Sequence, residues 1–100
     1  MSESEIENEI QEKGLDAPRV TPAMLDAEIM RGEYHVFEGS CLTVCCLILA
    51  NGFTVTGESA CASPANFDPE LGRKIAYAHA RDKIWPLLGF RLRDQLVAGA

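Results

Sequence analysis

The stretch Cys41-Leu-Thr-Val-Cys-Cys-Leu-Ile-Leu-Ala50, followed at once by Asn51-Gly52, limits the folds open to this chain more than any other feature. A run this apolar and β-branched reads as a buried strand. Asn-Gly after it is a strong hairpin signal, because both central residues of a type I′ turn need positive φ. A two-residue turn would pair Ala50 with Phe53, Ile48 with Val55, Cys46 with Gly57 and Val44 with Ser59. Alternation then puts Leu42, Val44, Cys46, Ile48, Phe53 and Val55 on the core face. Thr43, Cys45, Leu47, Leu49, Thr54, Thr56 and Glu58 fall on the other face, too apolar to be left to water. That face calls for a terminal segment or a second copy of the chain to cover it.

Tyr34-His-Val-Phe37 reads as the preceding strand, turned into the central run by Gly39-Ser40. A two-residue turn there pairs Phe37 with Leu42 and His35 with Val44, which makes His35 a buried, hydrogen-bonded histidine. The expected sheet is antiparallel and three-stranded, over residues 34–38, 41–50 and 53–60.

Helices flank it. Thr21-Pro22 has the grammar of a helix start, with Thr as N-cap and Pro at the first position, where its missing N–H costs nothing. Val20 and Leu25 have the spacing of a hydrophobic staple, Leu25 and Ile29 supply the buried stripe, and Gly32 is the expected stop. Asp68-Pro69-Glu70 repeats the grammar at the start of a longer helix. At 100° per residue Leu71, Ile75, Ala78, Asp82 and Trp85 share one sector, the expected sheet-facing stripe. Asp82 on that stripe would need a partner, or else a role in ligand contact or catalysis. Ala76, Ala80 and Ile84 form a second stripe of small residues suited to close approach by another helix. Pro86 should break or kink the helix, with a short segment packing Leu88, Phe90 and Leu92 after it and residues 97–100 frayed.

Residues 1–20 form an acidic segment and linker, and residues 21–100 a single α+β domain. In that domain the three-stranded antiparallel sheet packs on the long C-terminal helix, with a short N-terminal helix alongside. Within 1–13, Ile6 and Ile10 share one side of a possible helix whose five glutamates repel one another. It is either a frayed tail or a docking helix.

Charge is divided unevenly. Residues 1–68 hold twelve acids against three bases, net −9, and residues 69–100 hold three acids against six bases, net +3. DNA or RNA binding by the whole chain is disfavoured, but a local basic surface is not. No apolar run reaches transmembrane length, and the acidic N-terminus lacks the pattern of a signal peptide. A cytosolic protein with Cys41, Cys45, Cys46 and Cys61 as reduced thiols is expected. Their spacing fits no zinc pattern. No phosphate loop, nucleotide fingerprint or nucleophile elbow is present, so neither metal nor cofactor is expected, and an enzyme using Asp82 or His79 has no motif behind it.

Three blocks carry a resemblance: Tyr34-His-Val-Phe-Glu-Gly-Ser-Cys-Leu-Thr-Val-Cys-Cys46, Asn51-Gly-Phe-Thr-Val-Thr-Gly-Glu-Ser-Ala-Cys61, and Asn66-Phe-Asp-Pro-Glu through Asp82-Lys-Ile-Trp-Pro-Leu87. Together they resemble the small tailed-phage protein family catalogued as gp forty-nine / gp sixty-six, over about Thr21 to Leu96. The resemblance implies a phage or prophage protein acting in the host bacterial cytoplasm, and it brings no catalytic residue with it.

Two function classes follow. One is a non-enzymatic, homo-oligomeric binder that sequesters a small nucleotide-type immune signal of the host. Its phosphates would meet Arg73, Lys74, Arg81 and Lys83, its base would meet Tyr77, and Asp82 lies beside them. The other is an inhibitor or adaptor that docks on a host protein.

Overall fold

The computed structural model describes residues 2–99, so Met1 and the end of the expected frayed segment, Ala100, lie outside it. Helix α1 spans Glu3–Glu12 and α2 spans Pro22–Glu28. Strands β1, β2 and β3 span Ile29–Val36, Thr43–Leu49 and Thr54–Ser59. A 3₁₀ turn at Pro64–Asn66 then leads to α3, Pro69–Asp82, and α4, Ile84–Ala98. The sheet is antiparallel in the order β1-β2-β3, and α3 packs across β2 and β3. The architecture is the expected α+β one.

Both helix starts are capped as their sequences dictate. The Thr21 hydroxyl accepts from the Met24 N–H, and the Asp68 side chain accepts from the N–H groups of Glu70 and Leu71. The first domain helix is shorter than expected, however. It ends at Glu28, and Ile29 already opens β1, so Gly32 lies within a strand. A Cβ there would come 3.1 Å from the Leu47 side chain, so Gly32 serves packing and not helix termination.

The central hairpin differs from expectation by one residue. Leu47 pairs with Val55, Cys46 with Thr56 and Cys45 with Gly57. The cause is the turn. The Gly52 N–H donates to the Leu49 carbonyl at 2.9 Å, the Leu49 N–H donates to the Phe53 carbonyl at 2.8 Å, and only Gly52 has positive φ, at 88°. This is a three-residue loop, Ala50-Asn51-Gly52, with glycine in the left-handed position and Asn51 Oδ1 accepting from the Phe53 N–H. A slip of one residue turns the whole of β2 over. Thr43, Cys45, Leu47 and Leu49 are therefore buried, and Val44, Cys46 and Ile48 face the other way, half-buried. Val55 stays in the core as expected, whereas Phe53 is exposed.

His35 does pair with Val44, but that pair now lies on the open face. His35 is exposed, stacked edge-on against Phe37 with ring centroids 4.5 Å apart.

The inversion also decides which side of α3 is inside. Gly72, Ala76, Ala80 and then Ile84 face the sheet, while Leu71 and Ile75 are exposed. The stripe expected to bind a second helix is the sheet-facing one, because the sheet face it meets already carries Leu47 and Leu49. Large side chains on one layer require small ones on the other. The closest approach is at Gly57, where a Cβ would stand 2.2 Å from the Ala76 carbonyl oxygen. Bare strand backbone meets bare helix backbone there. Asp82, on the opposite side of α3, is exposed, so it has no burial to offset.

Helices α3 and α4 form one bent rod, with Lys83 in helical conformation as the cap of both. Pro86 falls in the first turn of α4, where its missing N–H is tolerated, and the bend comes just before it. The helix then runs on to Ala98, longer than the short segment expected.

Candidate functional site

The cations expected to form a ligand site are placed by α3, and most are already engaged. Arg81 is 13% exposed and acts as a clasp. Its Nε donates to Asp26 Oδ1 at 3.0 Å, one terminal nitrogen donates to Glu3, and the other donates to the Pro22 carbonyl at 3.3 Å. The hydrogen bond to Glu3 is the main cause that holds its pKa above the ordinary arginine value, against the opposing effect of burial. Arg81 therefore ties α1 and α2 to α3. Lys74 forms an exposed i,i+4 pair with Glu70 at 3.3 Å. Among the described residues Arg73 and Lys83 form no ion pair, and ten positions of helix, about 15 Å, separate them.

Tyr77 is half-buried and packs against the core. Tyr34, on the α3 side of β1, has its hydroxyl end turned toward Cys45, and it feels the charges of Tyr77 and Arg73. Burial is the main cause that pushes the Tyr34 phenol up, and burial likewise pushes up the neighbouring Cys45 thiol. Of the predicted residues, Arg73 and Tyr77 stand near enough to Tyr34 for their charges to act on its phenol, while Arg81 is engaged at the α1–α2 side. Sequence reasoning missed Tyr34. Its position opposite Cys45 follows from the expected pairing of His35 with Val44, but that pairing alone does not say that this face is the buried one.

His79 is also structural. Its Nδ1 lies 2.9 Å from the Glu58 carbonyl oxygen, so a proton on Nδ1 donates to the edge of β3. Among the described residues no group of three or more His, Cys, Asp or Glu side chains could hold a metal ion, and no helix is long and apolar enough to cross a membrane.

The clefts lie elsewhere. A groove of about 280 Å³ runs between α2 and α4, lined by Met24, Ala27, Leu88, Arg91, Leu92 and Gln95. A second, of about 210 Å³, lies on the other flank of α4 against the hairpin loop, with Phe53 and Leu87. Arg91 reaches across to Glu28 at 3.3 Å and fixes α4 beside α2. Beyond Leu88, no described residue of α4 is buried. Phe90 is 73% exposed, Val97 66% and Leu96 44%. Seven-residue spacing puts Phe90 and Val97 on one side, and Leu88, Leu92 and Leu96 line the other at i,i+4 spacing. A helix apolar on both sides is ordinarily enclosed by other protein, and this half of α4 is not.

The sequence pattern of a phage protein family, N4 Gp49/phage Sf6 gene 66, covers residues 20–96. No curated protein and no solved structure matches the chain.

Proposed function

We propose a role for this chain from one premise: it belongs to the phage protein (N4 Gp49/phage Sf6 gene 66) family. It is a non-enzymatic binding protein that acts in the host bacterial cytoplasm as an inhibitor or adaptor, by docking on a host protein. The observation that carries this reading is the second half of α4, apolar on both sides yet open to solvent. Aromatic side chains such as Phe90 are enriched at the cores of protein interfaces. The engagement of Arg81 and Lys74 by acids of the same chain supports it too, since cations already paired have less to offer an anion.

Affinity capture from host lysate tests it. Wild-type protein should recover a partner that the double variant Phe90→Ser, Val97→Ser loses and Arg73→Ala keeps. Equal recovery by the double variant would overturn it. Should light scattering show an oligomer that the same double variant dissociates, a second copy is what covers α4.

A second reading, sequestration of a nucleotide-type immune signal, rests on Arg73, whose charge acts on Tyr34 as that of Tyr77 does, so that a cation and two aromatic side chains lie in one region. Calorimetry against linear and cyclic nucleotides tests that reading. Heat abolished by Arg73→Ala would favour it over docking, and no heat across the panel would eliminate it.

A further inference from the structure

Cys41 and Cys61 lie just beyond the paired ends of β2 and β3. The β2–β3 ladder ends at the pair Thr43 and Ser59. Two residues further out on each chain, the next same-side positions of that register are Cys41 and Cys61. Both thiols are half-buried, and both line one small cleft of about 100 Å³ with Phe67, Leu71 and Ile75. The neighbouring Cys61 thiol first, and burial after it, push the Cys41 thiol up. Directly opposed antiparallel residues have Cβ atoms about 4.5–5.5 Å apart, and a disulfide needs about 3.5–4.5 Å. Neither residue belongs to the hydrogen-bonded ladder, so that closure requires no backbone bond to break. The other two thiols are placed differently. Cys45 is fully buried under α3, and Cys46 lies on the opposite face of the sheet.

We propose that Cys41 and Cys61 are a reversible redox pair that a peroxide closes into an intrachain disulfide across the open end of the β2–β3 hairpin. One thiolate attacks a peroxide oxygen, the O–O bond breaks, and a sulfenic acid and water form. The second thiol then attacks the sulfenic sulfur. The S–S bond forms, the S–O bond breaks, and a second water leaves with the remaining thiol proton. Overall the two thiols give up two electrons and two protons, and the peroxide is reduced to two waters. A small-molecule dithiol reverses the step by thiol–disulfide exchange. The bond encloses the whole hairpin and tethers the segment that leads into α3, so it fixes the rim of the cleft formed by Phe67, Leu71 and Ile75. It stands independently of the docking reading.

The test is hydrogen peroxide treatment of the folded full-length protein, followed by alkylation and intact mass. The expected product has lost two of its four titratable thiols and the mass of two hydrogens. Cleavage after Glu38, Glu58 and Glu70 separates Cys61 from the other three cysteines, so the bond joins fragment 39–58 to fragment 59–70 until reductant is added. Cys41→Ser should abolish the joined fragments, and Cys46→Ser should leave them unchanged. Oxygen adducts without loss of hydrogen, a cross-link that survives Cys41→Ser, or chain-to-chain dimers on a non-reducing gel would each overturn the proposal.

Discussion

At the scale of single residues, Gly57 matters more than any charged side chain. It is the point where α3 touches the sheet with no side chain on the strand, and a Cβ there would collide with backbone of α3 at Ala76 and Ala80. Gly57→Ala should cost about 3 kcal/mol or more in urea unfolding, since helix backbone cannot move aside without lifting Ala76 and Ala80 off the core. Thr43 is the opposite case. It is fully buried beneath Gly72, and among the described residues its hydroxyl has no hydrogen-bond partner. Thr43→Val should gain about 1 kcal/mol in the same measurement, because it removes an unsatisfied polar atom and keeps the branched shape. An isolated Gly within a strand can mark close backbone approach, but what approaches Gly57 depended on the packing of α3. Nor was the threonine legible in the sequence, because its face depended on the hairpin register. Tyr34 and Cys45 add a pH dependence. Both are held protonated in the fold, with pKa values above the ordinary range and burial as the main cause. Stability from that preference is fully present below the ordinary thiol pKa and is lost as pH rises through the raised values. The melting temperature should therefore fall above about pH 9, and Cys45→Ala should make the fall shallower.

At the scale of elements, α2, β2, β3 and α3 were each marked by their own sequence grammar, whereas the first half of β1 and the length of α4 were not. What the grammar could not supply was which way each one faces. The choice between a two-residue and a three-residue loop at Asn51-Gly52 is worth little locally. Yet it decides whether Leu47 or Ile48 is inside, and with that which stripe of α3 meets the sheet. Apolar residues at Leu71 and Ile75 looked like the better stripe when α3 was taken alone, and small residues won because the facing layer was already full. Helix α1 is held differently, with no buried residue and ion pairs at Glu7–Arg19 and Glu3–Arg81. Arg81→Ala should cost about 1.5–3 kcal/mol, the range for hydrogen bonds to charged groups, and should free α1. Limited trypsin digestion would show this as faster cleavage after Lys13, and unchanged cleavage would mean that α1 is held by something other than the clasp.

At the scale of the whole molecule, the chain is elongated, 53 × 31 × 18 Å, with a radius of gyration of 16.6 Å. A compact domain of this length would have about 13 Å. The excess reflects helices that extend beyond the sheet, α4 among them. Removing residues 1–13 should leave a cooperative melt, because α1 supplies charge and no buried apolar side chain. A chain that lost its transition on that truncation would place Ile6 and Ile10 in the core. Both interface stripes first suspected from the sequence, the Leu47 face and the Ala76–Ala80 face, are satisfied within the single chain, so neither argues for an oligomer. The apolar surface still open on α4 was hidden in the sequence by the expectation that Pro86 would end the rod. Hydrogen exchange on α4 is the most direct test of whether that surface is where the protein binds. Amides beyond Leu88 should exchange rapidly in the isolated chain and become strongly protected in the complex recovered from host lysate. Protection confined to α3 around Arg73, with residues 89–98 unchanged, would contradict the docking role and point to the anion site instead.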